Sequence, residues 1–212
     1  MNNNNSSKQI LLSVLGVAIL VVAVVGISFA AFSFSQAGEV SNTITTGTIT
    51  MTYTEPSNGI SLTDALPITD DAGKALKGDG KTFDFTVGAT IAGHTNINYV
   101  ISAVKDSTSD LPDEGVKVYL TATSGETETA VLGPKLVSEL DKTVAGNAAG
   151  APADQYILKT GNYTATGTDN YRLRMWVDEN YGKQSDGGNT TEFATQHKYI
   201  LKVNVYGAAK AQ

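Results

Sequence analysis

Residues 81–91 read KTFDFTVGATI. Phe83, Phe85, Val87, Ala89 and Ile91 fall on one side of an extended chain, and Thr82, Asp84, Thr86 and Thr90 on the other. A two-residue period marks a β-strand with one buried and one wet face. A helix would scatter the same apolar set around its axis. The stretch therefore predicts a strand of an antiparallel sheet.

The pattern extends in both directions. Upstream, Ile49, Met51 and Tyr53 oppose Thr48, Thr50, Thr52 and Thr54. Downstream come NINYVISAVK (96–105), VKVYLTAT (116–123), QYILKT (155–160), NYTATGT (162–168), NYRLRMWVDE (170–179) and HKYILKVNVYG (197–207). Gly, Asn, Asp and Pro punctuate the runs. About eight short strands follow, each with one apolar face to bury. Two such sheets satisfy one another, so the expected fold is an all-β antiparallel sandwich. Residues 55–81 and 180–196 read as polar loops. Pro134–Val144 reads as a short helix, with Pro in its first turn and Gly146 just beyond.

Composition narrows the function. The chain has 212 residues, room for one medium domain beyond its N-terminal segment. Charged residues make up 17% and the net charge is −6, with no Lys/Arg cluster. Nucleic acid is excluded as a partner, since phosphate neutralisation needs a basic surface. There is no cysteine, hence no disulfide and no thiol chemistry. An exported protein without cysteine suits a cell envelope lacking disulfide-forming machinery.

The N-terminus has a different character. Residues 1–9 are polar and low in complexity, and Lys8 is the first charge. Ile10–Ala31 then runs 22 residues without a charge. As a helix at about 1.5 Å per residue it reaches roughly 33 Å, enough for a bilayer core of about 30 Å. The segment is expected to enter a membrane at least during export, with Lys8 left in the cytoplasm. Small residues at Ser28 and Ala30 frame a signal-peptidase site between Ala30 and Ala31, and Ser35 and Ala37 frame a second. The apolar run exceeds the usual signal-peptide length, so cleaved signal and uncleaved anchor both stand. The expected organisation is 1–30 signal or anchor, 31–47 an N-terminal strand or stalk, 48–207 the sandwich and 208–212 a flexible tail.

No constellation of catalytic type emerges. His94 and His197 lie apart, and no H-E-x-x-H helix motif joins them. Asp70, Asp71 and Asp79 sit in a Gly-rich loop without EF-hand spacing and read as solvated carboxylates. Asp178, Glu179 and Asp186 read as strand-end charges facing water. No G-x-S-x-G elbow or phosphate loop occurs. Arg172 and Arg174 share an alternate face with Trp176, which suggests packing under a loop, a cation–π ladder or a partner surface. Sequons at Asn162 and Asn189 have meaning only in a glycosylating secretory route. No enzyme activity, metal or cofactor is expected.

The junction carries a family resemblance. Phe29, Ala30, Ala31 and Phe32, followed by Asn42, Ile44, Gly47, Thr48 and Ile49, resemble the N-terminus of the TasA/camelysin family of exported bacterial proteins. The match covers about twenty residues, with the order of later strands alike; Phe34 stands where the family often has Asp. The resemblance implies a jelly-roll-like sandwich, export through a SipW-type signal peptide, and self-association into extracellular matrix fibres at the cell surface. Cleavage after Ala30 would leave an alternating segment able to add to the sheet edge of the next subunit, with Phe32, Phe34, Val40 and Ile44 as plugs. Such a head-to-tail contact does not close and makes a filament. The alternatives are a membrane-anchored adhesion or ligand-binding module whose residues 31–47 form a stalk, and a camelysin-type surface metalloprotease, for which the zinc motif is missing.

Overall fold

A computed structural model describes residues 33–37, 42–46, 49–55, 59–78, 80–91, 95–181 and 197–210. The uncharged apolar run at 10–31, the junction residues Ala30, Ala31 and Phe32, and Val40 lie outside them. Contacts divide the chain at Ser33, and residues 34–212 form one compact unit.

The described residues are almost wholly β, in two sheets. The strands are β1 (Ser33–Ala37), β2 (Asn42–Thr46), β3 (Ile49–Thr54), β4 (Ile60–Thr63), β5 (Pro67–Ile68), β6 (Thr82–Ile91) and β7 (Asn96–Lys105). They continue with β8 (Val116–Ser124), β9 (Thr127–Leu136), β10 (Tyr156–Tyr163), β11 (Gly167–Asp178) and β12 (Lys198–Lys210). One sheet has the order β1-β12-β7-β10, with β4 also on β12. The other runs β2-β3-β6-β11-β8-β9, with β5 also on β11. The pairs β2–β3, β3–β6, β6–β11, β11–β8, β8–β9, β4–β12, β12–β7 and β7–β10 are antiparallel, and β5 runs parallel to β11 through Val177–Pro67 and Asp178–Ile68.

The alternation seen in residues 81–91 governs burial along most of β6, whereas β7 and the C-terminal half of β11 are buried on both faces. Phe83, Phe85, Val87 and Ala89 are buried with Met51, Tyr53, Tyr171 and Leu173 from neighbouring strands. Ile97, Tyr99, Ile101, Leu201, Val203 and Val205 of the other sheet are buried as well. Phe85 stacks on Tyr171 at 5.4 Å between centroids, and Tyr99 on Tyr163 at 4.9 Å. Buried hydroxyls are paired across the interface. Tyr163 donates to the Val87 carbonyl at 3.0 Å, and the Tyr99 and Tyr171 hydroxyls lie 3.2 Å apart. Gly207 lets the sheets approach closely, since a Cβ there would sit 2.0 Å from Met51 Sδ.

Three expectations need correction. Pro134–Val144 is not a helix: β9 continues through Pro134 to Leu136, and only Val137–Glu139 forms a 3-10 turn. β9 is the last strand of its sheet among the described residues, so Pro134 can lack an N–H on its far side. Residues 55–81 are not all loop. They hold β4, β5 and a five-residue helix, α1 (Asp70–Lys74), capped by Thr69, whose hydroxyl accepts from the Ala72 N–H at 3.3 Å. Elements of two to five residues are too short to show a period. NYTATGT is not one strand: a bend at 164–166 assigns its first half to β10 and Gly167 onward to β11. At the C-terminus, β12 runs to Lys210, and Ala208–Lys210 pair with Asn98–Asn96.

Candidate functional site

The borders of the two sheets differ in a way that bears on assembly. The N-terminal segment supplies the outermost strand at one end of each: β1 beside β12, and β2 beside β3. β1 is SFSQA and β2 is NTITT, without a charge, proline or glycine. Phe34 lies in β1, and Ile44 lies in β2 opposite Met51. The opposite borders are β10 and β9. β10 carries Lys159 and a register shift between Ile157 and Lys159. β9 carries Glu128, Pro134 and Lys135, and its pairing with β8 shifts twice between Val118 and Thr121. Charges, proline and bulges are the devices that stop an edge from recruiting another strand. They are present at β9 and β10 and absent from the β1 and β2 sequences.

The outer face of β11 holds the arginine pair singled out in the sequence. Arg172 grips Asp84, its cross-strand neighbour on β6, through Nε and Nη2 at 2.7 and 2.6 Å. Its Nη1 donates to Glu128 Oε1 at 2.8 Å. Arg174, with its side chain 2% exposed, takes the same carboxylate through Nη1 and Nη2 at 2.8 and 2.9 Å. Thr121 adds a fourth donor to Glu128 at 2.9 Å. The Arg174 contact is the leading reason that the Glu128 carboxyl is held down at about 2, against the opposing effect of burial. The remaining Arg174 donor, Nε, reaches the Leu76 carbonyl at 2.8 Å. Trp176 is buried beneath α1, where a Cβ on Gly73 would meet the indole at 2.3 Å. Of the three readings for this trio, packing under a loop is the one observed. The cation–π contact of Arg174 is to Tyr119, at 5.9 Å, and not to Trp176.

Asp70, Asp71, Asp178 and Asp113 are also partnered. Lys117 bridges Asp70 at 2.9 Å and Asp178 at 3.2 Å, tying α1 to the sheet. Asp71 pairs with Lys74, and His197 Nδ1 lies 3.4 Å from Asp110. Asp113 receives Lys105 at 3.0 Å, Tyr199 at 2.8 Å and the Tyr156 hydroxyl. Burial pushes this carboxyl up, but those three donors outweigh it and hold it below the usual range. Asn162, the first sequon residue, donates to Asn98 at 2.7 Å. His94, Asp79, Asp186 and Asn189 lie outside the described residues. Among the described residues no three His, Asp or Glu side chains converge as metal ligands. What the arrangement does chemically is to neutralise charge within the chain.

Sequence reasoning did not find Asp84, Glu128 or Asp113 as partners. Each sits on a wet strand face or in a turn, and only the register brings it to its cation. The signal was partial: Asp84 interrupts the threonines opposite the Phe83–Val87 face. Compared with known proteins, the chain matches no family model, and no curated protein matches it.

Proposed function

We propose that the chain is a non-enzymatic extracellular structural subunit of bacterial origin, displayed at the cell surface and able to self-associate into filaments. In this reading the sandwich is jelly-roll-like and of the TasA/camelysin type. The apolar run at 10–31 acts as a SipW-type signal, cleaved between Ala30 and Ala31, or as a membrane anchor. The N-terminal strand then adds to the sheet of the next subunit, with Phe32, Phe34, Val40 and Ile44 as contact residues. The observation that carries the reading is the asymmetry of the borders: the N-terminal segment furnishes the outermost strand of each sheet, in sequences without blocking residues. A strand at the border can be exchanged without opening the core. Main-chain hydrogen bonds supply affinity, and each buried Phe adds about 1.5–3 kcal/mol.

Mass spectrometry of the exported protein tests the first step, which predicts a mature N-terminus at Ala31. Negative-stain microscopy tests the second. Filaments from the mature chain support the reading, and a monodisperse protein at high concentration contradicts it.

A second reading, a membrane-anchored sandwich that binds a ligand, is favoured by a separate observation. A cavity of about 270 Å³ opens among Ile60, Leu62, Leu66, Ile68, Met175 and Trp176.

A further inference from the structure

The outer face of β7 and β10 carries an open cleft of about 450 Å³, within the usual range of small-molecule sites, about 300–1,000 Å³. Ile97, Tyr99 and Ile101 are buried in the sandwich, so Asn98 and Val100 stand on the outer side of β7. Asn162 and Thr160 are their partners on β10. These four residues and Ile157 make the floor, and the 142–149 segment makes a wall. The wall is built in advance. Asn147 donates to the carbonyls of Val144 and Ala151, both at 2.7 Å, and accepts from the N–H groups of Ala149 and Ala151 at 3.2 and 3.1 Å. Thr143 ties the same segment to the start of β10. Its N–H donates to the Gln155 carbonyl at 2.8 Å, and its hydroxyl accepts from the Gln155 N–H at 3.0 Å. The floor is not saturated in this way. Asn162 donates to Asn98 Oδ1 at 2.7 Å. The Asn98 Nδ2 donor and the Asn162 Oδ1 acceptor keep no protein partner among the described residues, and Asn162 is exposed and Asn98 half-buried. Thr160 adds a hydroxyl and Lys142 an ammonium, and no carboxylate lines the cleft. At the rim Val144 is 67% exposed.

We infer that this cleft binds a neutral sugar in its pyranose form, free or as a unit of a polysaccharide. A sugar hydroxyl both donates and accepts, and neighbouring hydroxyls on one ring meet the donor of Asn98, the acceptor of Asn162 and the hydroxyl of Thr160. The C–H face of the ring covers Ile157 and Val144, whose apolar surface is otherwise left to water. Charge argues for a neutral ligand. Without a carboxylate the lining offers nothing to a cation. Its one ammonium, Lys142, already lies 4.9 Å over the Tyr156 ring, and the net charge of −6 opposes an acidic polymer. An extended peptide would have to add along the free side of β10. Residues 141–143 occupy the start of that side, through Thr143 to Gln155 and through the Ile157 N–H to the Asp141 carbonyl at 2.8 Å. This inference is independent of filament formation.

The test uses the full chain in lipid nanodiscs, with empty nanodiscs as background. Methyl glycosides of glucose, galactose, mannose and N-acetylglucosamine are each titrated by saturation-transfer NMR. At least one is expected to bind saturably, with transfer strongest at the ring protons of one face. Cyclohexanol, a six-membered ring with a single hydroxyl, should bind about tenfold more weakly or less, the range set by one or two net hydrogen bonds. Asn98→Leu with Asn162→Leu replaces both amides by apolar groups of similar size, a nearly neutral exchange for the fold, and should abolish the sugar signal. Asn162→Ala, at an exposed position, removes the acceptor alone and should weaken binding about three- to tenfold. No transfer to any of the four glycosides overturns the site. Cyclohexanol binding as tightly as the best glycoside overturns hydroxyl recognition. Sugar binding unchanged in both variants places it elsewhere and overturns the proposal. Methyl glucuronide binding more tightly than every neutral glycoside overturns the neutral assignment.

Discussion

At one border of the seven-stranded sheet lies β2, five uncharged residues paired to β3 in unbroken register from Asn42–Tyr53 to Thr46–Ile49. Toward the other border lie β11, β8 and β9, where Arg172, Arg174, Glu128 and Thr121 are locked together, with Asp84 of β6 held by Arg172, and the outermost pairing is bulged. One half satisfies its charges within the chain and carries blocking residues at its own edge. The other half leaves a plain edge. The difference teaches where a filament contact would form: beside the N-terminal strands, and not beside β9 or β10.

The comparison can be broken first at the plain borders. Phe32→Ser with Phe34→Ser should abolish filaments seen by negative-stain microscopy; normal filaments from this variant rule out donor-strand assembly. Ser35→Lys in β1 imports the device used on β10. Sedimentation should show polymer reduced more than tenfold, while Thr160→Lys in β10 should change it little. If both substitutions act equally, the borders are not functionally distinct.

The locked half should answer to stability and not to assembly. Arg174→Ala leaves Glu128 without its two-pronged partner and opens a void under Leu76. Chemical denaturation should record a loss of about 3–5 kcal/mol, and polymerisation of the folded fraction should persist. Gly73→Ala forces a methyl into the Trp176 ring and should cost about 1–3 kcal/mol, visible as a red shift in the emission of the sole tryptophan. The smallest effect is titrational. The Glu128 carboxyl is depressed from 4.5 to about 2 in the folded chain. Its contribution is therefore complete above pH 4.5 and is lost as pH falls toward 2. Glu128→Gln should flatten the stability–pH curve within that window alone.

Much of the fold was legible because alternation has a direct physical cause. In KTFDFTVGATI four of the residues read as inward, Phe83, Phe85, Val87 and Ala89, are buried and Ile91 at the strand end is half-buried, and the Tyr171–Leu173–Met175–Val177 face is buried throughout. The misreadings arose where short range and long range disagree. Pro134 looks like a helix start until β9 is known to be an outer strand. Arg172, Arg174 and Trp176 were visible as an unusual outer face, yet their partners were not, because Glu128 and Leu76 reach them only through pairing and through the return of the 59–81 excursion. The cavity at Trp176 left no trace in the sequence, since its walls come from three separate stretches.

Disulfide trapping addresses the central claim directly, since the chain contains no cysteine to confuse it. Ser35→Cys is combined with single cysteines scanned along residues 202–208 of β12, the strand beside β1. Oxidised filaments are then run under denaturing, non-reducing conditions. The donor-strand account predicts ladders of covalently joined chains at the register that matches β1 to the next subunit's β12, with intrachain links in unassembled protein. Intrachain links alone in intact filaments would contradict it.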